Sequence, residues 1–248
     1  MSEARVPQVA AVVVGAQGGA RLARALAGVA WAGERIVLDP AERLAAERFP
    51  DGVRRATGTT TPLADLTAAP WLLLIAEDEV VSDAVATHIA AVAADAAAAP
   101  AYRFGQEVNV DGTRLRLPGK PVRLARRVGA EIGLGPGLCL ALTTPPGRVE
   151  QGPAPLTIER AGTIGAVVAE LDADGSALAA VLQAHGVRPW FHRLLLAPLA
   201  AGGRVVFGRA RSRLGWERWV IAVVVAYRVV VAYAKLWELR RARTPFLT

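Results

Sequence analysis

The sequence predicts an α/β domain followed by a helical, basic C-terminal region. Three observations carry this. Short apolar runs rich in valine and leucine alternate with helix-patterned segments three times within the first hundred residues. Those runs lead into glycine or a carboxylate: Gly15, Asp39 and the acids at 77–79. The positive charge lies at the far end. Arg204–Thr248 holds ten basic residues against Glu217 and Glu238, a net +8, so the first 203 residues carry about −1 of the chain's +7.

The first run, Val9–Val14, is continuous and β-branched, the pattern of a strand buried on both faces. The turn Gly15-Ala16-Gln17-Gly18-Gly19 follows, then a helix over Ala20–Val29. A second strand, Arg35–Leu38, ends at Asp39 and is stopped by Pro40. Ala41–Arg48 is expected to be helical, with Glu42 and Glu47 toward solvent, ahead of the turn Pro50-Asp51-Gly52. Trp71–Ile75 is the strongest strand and runs into Ala76-Glu77-Asp78-Glu79. Ser82 suits the N-cap of an Ala-rich helix ending near Ala99, before Pro100. Beyond Pro100, strands are expected over Ala101–Val110 and Val122–Arg126, with a further apolar run at Leu138–Leu142. Helices are expected over Ala169–Ala184, over Trp190–Ala200 and, as one long element, from Gly215 to Arg241.

Composition excludes several classes. At 248 residues and 53% apolar content the chain has ample material for a core and is not a disordered segment. A single cysteine, Cys139, excludes an intramolecular disulfide framework and a Cys-rich zinc module. Three histidines, His88, His185 and His192, leave little for a His-based metal cage. The nearly neutral body argues against nucleic acid as a partner. The start, MSEARVPQ, has no apolar signal region, so a cytoplasmic location is expected.

In an open α/β sheet, ligands bind at the carboxyl ends of the strands. Gly15, Asp39 and Asp78 all lie at such ends. A Gly-rich turn opening a helix presents free backbone N–H groups to phosphate, so Gly15, Gln17 and Asp39 are candidate nucleotide-binding residues. In a dinucleotide reading Asp39 would take a ribose hydroxyl, although the spacing is not GxGxxG and no Tyr-x-x-x-Lys pair is present. In a second reading, Glu77 and Asp78 hold a divalent cation, Mg²⁺ or Mn²⁺, against a diphosphate. In a third, the acids only cap the following helix, whose N-terminus favours negative charge. Leu171-Asp172-Ala173-Asp174-Gly175 has the look of a metal motif but lies in a helix-patterned region, and is read as a turn or helix end. His185 and His192 are read as packing or surface residues.

Several stretches resemble family 2 glycosyltransferases with the GT-A fold, in particular bacterial lipopolysaccharide core glucosyltransferases. They are Val12–Leu26 with Trp31-Ala32-Gly33-Glu34-Arg35-Ile36-Val37-Leu38-Asp39, the acid-ended strand Trp71–Glu79, and the tail Tyr233-Ala234-Lys235-Leu236-Trp237-Glu238-Leu239. Tyr102-Arg103 and Val122–Arg127 match that family more weakly. The resemblance implies a mixed sheet flanked by helices, a nucleotide-sugar donor, a divalent metal at Asp78 and a glycolipid acceptor. Arg123 and Arg126 are the candidate phosphate or acceptor contacts. Glu107, Asp111 and Glu131 lie in segments suited to a general base, and none is singled out. The departures are specific: Ala76 replaces the first motif aspartate, Ala16-Gln17-Gly18 replaces a Lys-Asn-Glu, and Val128-Gly129-Ala130-Glu131 lacks a histidine. They keep a catalytically inactive homologue, binding membrane or a partner enzyme, beside the transferase. A Rossmann-type NAD(P)-dependent oxidoreductase is the third alternative.

The implied organisation is a nucleotide-sugar-binding domain over 1–150, an acceptor-side helical region over 151–203 and a membrane-associated tail over 204–248. Val220–Ala234 spans about 22 Å as a helix, short of a bilayer core of about 30 Å. Arg228 near its middle would cost about 2.5–3.5 kcal/mol to insert. The tail is therefore expected to lie on an anionic inner-membrane surface, through Arg211, Arg213, Trp216, Trp219, Arg228 and Trp237.

Overall fold

In the computed structural model, valine-rich β1 (Val6–Val14) runs between β2 (Ala32–Asp39) and β4 (Trp71–Ala76), parallel to both. The residues described are 6–15, 17–45, 47–57, 63–110, 113–117, 120–134, 140–159, 164–188, 190–207 and 217–243. Beyond β2 lies β3 (Val53–Thr57), also parallel. On the other side, β9 (Val122–Arg126) runs antiparallel between β4 and β6 (Ala101–Arg103), and β12 (Val149–Gln151) closes the edge. The seven-stranded order is β12-β6-β9-β4-β1-β2-β3. The fold is thus mixed α/β. The purely parallel sheet suggested by the first hundred residues is interrupted by β9.

Alternation along β1 sends side chains to two cores. Val9, Ala11 and Val13 join Leu22 and Leu26 of α1 (Gly19–Gly28) and Val85 and Ile89 of α3 (Asp83–Ala94). Ala10, Val12 and Val14 join Leu63 of α2 (Leu63–Leu66), Leu140 and Leu142 of β11 (Leu140–Thr143) and Val181 of α4 (Ile164–Ala184). Strand β11 forms a hairpin with β10 (Glu131–Leu134). A smaller sheet contains β5 (Glu79–Val80), β13 (Leu156–Glu159), β7 (Gln106–Val110) and β8 (Thr113–Arg116) in that order. Because β13 pairs with β5 and β7, the α/β body reaches Glu159, past residue 150.

Several expected elements differ. Residues 41–45 and 47–48 are turn and coil, not helix. The Asp39 carboxylate accepts from the N–H groups of Arg43 and Leu44, and Glu42 adopts a positive φ of 54°. A side chain that binds those amides competes with helix formation. The strand expected over Ala101–Val110 breaks at Phe104-Gly105 and serves two sheets as β6 and β7. Phe104 is fully buried at the break, and a Cβ on Gly152 would lie 2.3 Å from its ring. Helix α3 stops at Ala94, short of Ala99, although Ser82 does cap it by accepting from Val85 N–H.

The C-terminal helices are α4, α5 (Phe191–Phe207) and α6 (Glu217–Arg243). Leu178, Ala179 and Leu182 of α4 pack with Ala201 of α5 and Val229, Tyr233 and Leu236 of α6. Small residues set the approach. A Cβ on Gly175 would lie 2.5 Å from Val231 Cγ1, and one on Gly202 would lie 3.1 Å from the Ala222 carbonyl oxygen. Gly175→Ala is expected to destabilise the protein by about 1–3 kcal/mol through overpacking between α4 and α6, read as a lower urea midpoint with an unchanged slope.

Candidate functional site

The register places Val14 beside both Leu38 and Ala76, so three strand ends share one edge. The turn after β1, Asp39 at the end of β2 and the acids after β4 therefore lie together, as the sequence suggests. What each group does there is decided by its neighbours.

Glu77 is buried, and its carboxylate accepts from Gln17 N–H (2.9 and 3.1 Å to its two oxygens) and Gly18 N–H (3.1 Å). Glu47 Oε1 accepts from Gly19 N–H at 3.1 Å. Two carboxylates thus occupy the amide cradle at the start of α1, where the helix dipole favours negative charge. Gly18 has φ 74°, a left-handed conformation suited to glycine. A Cβ on Gly15 would meet Leu44 Cδ1 at 2.6 Å, so this glycine serves packing. The Gln17 side chain donates to the Ala169 carbonyl on α4 at 3.2 Å.

Asp78, 8% exposed, faces Arg21 of α1, with Nη2 to Oδ2 at 3.6 Å. The same guanidinium lies 3.7 Å from Glu170 and 4.0 Å from Asp174, both on α4. One arginine is therefore shared by three carboxylates. The Asp172-Ala173-Asp174 segment is helical. Its two acids diverge, Asp174 toward Arg21 and Asp172 to Lys235 of α6 at 2.7 Å.

Glu79 and Arg123 form a buried ion pair at 2.5 Å, each 1% exposed. Glu79 also accepts from Ala76 N–H (2.8 Å) and from the Gln106 side chain. Burial pushes the Glu79 carboxyl above the ordinary carboxylate range, and Arg123 pulls it back.

Four expected site residues have surroundings that differ from those expected. Asp39 is fully buried and bonded to Arg43 N–H, Leu44 N–H and Arg55 Nη2, so it is not presented to a ribose. Arg123 is buried and paired with Glu79. Arg126 pairs in register with Trp71, at the start of β4, about 17 Å along the strand from Ala76. It stacks 4.6 Å above the Trp71 ring, at the opposite end of the sheet from the acids. Arg228 is half-buried with its Nε enclosed, rather than displayed on the surface. Among the suggested bases, Glu107 accepts from Arg116 at 2.7 Å and Glu131 is exposed on β10. Asp111, Cys139, Arg211, Arg213 and Trp216 lie outside the described residues. His185, read as a packing or surface residue, is exposed and contacts the Ile132 carbonyl oxygen through Nε2 at 2.7 Å.

Sequence reasoning missed Arg21 and Glu170, and set Asp174 aside as part of a turn or helix end, whereas it lies within α4. The signal available was a basic residue in the first turn of the helix after the Gly-rich loop, where a cation opposes the helix dipole unless acids surround it. The distant Asp174 becomes relevant only when α4 folds back over the strand ends.

No family model and no curated protein sequence matches the chain.

Arg123→Met is expected to destabilise the protein by about 3–5 kcal/mol, because Glu79 is left as an uncompensated buried charge. Adding Glu79→Gln removes that charge and is expected to restore much of the loss, as measured by denaturant unfolding of both variants.

Proposed function

We propose that this chain is a glycosyltransferase-like protein of GT-A type. In this reading it transfers a sugar from a nucleotide-sugar donor to a lipopolysaccharide-type glycolipid of the cell envelope, at the cytoplasmic face of the inner membrane. One observation carries the reading: the central strand β4 ends in Glu77-Asp78-Glu79 beside the β1–α1 turn, at the carboxyl edge where an α/β sheet receives a nucleotide. The reversed β9 and the flanking helices accord with that fold. The basic, apolar tail accords with a membrane-borne acceptor.

The chemistry would be a displacement at the anomeric carbon. The acceptor oxygen bonds to that carbon as the bond to the diphosphate breaks, and the hydroxyl proton passes to a base. Charge then grows on the departing diphosphate, which needs a cation nearby. Arg21 is the cation held beside Asp78 in this structure. The side chains as they stand do not fit Mg²⁺ or Mn²⁺, since Glu77 is bonded to backbone amides and Asp78 faces a guanidinium. A metal role for Asp78 requires Arg21 to withdraw.

A second reading, the catalytically inactive homologue, is favoured by the position of Glu77. Its carboxylate already sits on the N–H groups that a diphosphate oxygen would use. The oxidoreductase alternative loses its ribose contact with the burial of Asp39.

Calorimetry with UDP-sugars, with and without Mn²⁺, on the wild type and Asp78→Ala separates these readings. The transferase reading expects saturable binding that weakens at least about tenfold in the variant, roughly 1.4 kcal/mol, together with turnover on a lipid acceptor. Binding without turnover on any tested acceptor leaves the inactive homologue. Preference for a nicotinamide dinucleotide overturns both.

A further inference from the structure

Among the described residues, every exposed large apolar side chain except Val128 falls between Trp190 and Leu239. A concentration of this kind on one part of a protein marks a binding surface. On α6, Trp219, Val223, Tyr227, Val230 and Trp237 are exposed and lie within about 80° of one another at 100° per residue. They form a stripe roughly 27 Å long at 1.5 Å per residue. Arg241 continues it and stacks on Trp237 with its guanidinium 5.1 Å from the ring. On α5, Leu195, Leu196, Leu199 (70% exposed) and Phe207 (83%) are likewise uncovered. Neither the α5 leucines nor Phe207 stands out in the sequence as more than core.

The opposite sides of these helices are occupied. Val229, Ala232 and Leu236 are buried against α4 and α5, and Lys235 is bonded to Asp172 and Ser176 of α4. Half-buried Arg228 and Lys235 therefore lie on a side of α6 turned toward the protein, and the apolar stripe points out. This is the reverse of a helix that binds membrane through its arginine and lysine row.

We infer that the α5–α6 pair is an interfacial docking surface for an anionic bilayer, with both helices lying along the membrane plane and their exposed apolar stripes set into the headgroup boundary. The inference rests on the membrane reading above and specifies how it is achieved. Charge selects this occupant. The segment from Arg204 onward is net +8, so a second copy seated face to face would set two such segments against each other, whereas anionic lipid neutralises them. Trp219 and Trp237 bracket the stripe, and tryptophan favours the interfacial zone. Among the described residues, no helix is long and apolar enough to cross a membrane, which suits a helix lying flat.

The test is flotation of the full chain with phosphatidylglycerol/phosphatidylcholine vesicles and with phosphatidylcholine alone. Three variants are compared with wild type: Leu195→Glu/Leu199→Glu, Val223→Glu/Val230→Glu, and Val128→Glu as an exposed apolar control outside the patch. All five positions are on the surface, and far-UV circular dichroism checks that the helices persist. Wild type and the Val128 variant are expected to float with anionic vesicles, and each double variant to bind at least about tenfold more weakly. If both double variants bind like wild type, the docking surface is overturned while the membrane reading stands. If wild type does not float with anionic vesicles, both fall. If the double variants convert a dimer to a monomer without changing vesicle binding, the stripes are a self-association face and the inference is rejected.

Discussion

Three consecutive carboxylates must be satisfied at the end of the central strand, where each is almost fully buried, and the surrounding architecture answers that demand. Each takes a different donor. Glu77 takes backbone amides of the β1–α1 turn, Asp78 faces a guanidinium from α1, and Glu79 takes a guanidinium from β9. A buried charge without a partner costs several kcal/mol, so these contacts constrain where α1, α4 and β9 sit. The Arg123–Glu79 pair ties the antiparallel strand to β4. The Arg21 cluster draws the first half of α4 across the strand ends.

The same contacts set the functional question. A strand end rich in acids next to a glycine turn is a good place for a nucleotide diphosphate, and here its parts are already bonded to one another. A ligand entering this edge must compete with Glu77 for two amide groups and with Asp78 for a guanidinium. That competition extends to α4, because Glu170 and Asp174 hold the same arginine. The same contacts equally suit a purely structural joint between α1, α4 and the end of β4.

The C-terminal helices show a parallel division of labour. Glycines at 175 and 202 let α4, α5 and α6 approach closely, which buries one side of α6 and turns its lysine inward. Burial of that side leaves tryptophans and valines facing out. Helix packing, more than tail composition, determines which residues of α6 remain exposed.

The strands β1, β2 and β4, helix α1 and the long helix α6 were legible because their apolar patterns are strong and local. So were the strand-end positions of Gly15, Asp39 and Asp78, which follow from alternation of strand and helix. The fate of their polar groups was not legible. Asp39 turned inward because Arg55 and two amides of the following loop reach it, and the expected helix over 41–48 was lost to the same hydrogen bonds. Arg123 and Arg126 look alike in sequence, yet antiparallel register carries one toward the acids and the other to the far end of the sheet. The sequence by itself determined the α/β class, the charge asymmetry and the acid-ended strand, since these depend on residue type and spacing alone. Only the tertiary structure decided which charges pair and which apolar faces remain open, because those depend on partners distant in the chain.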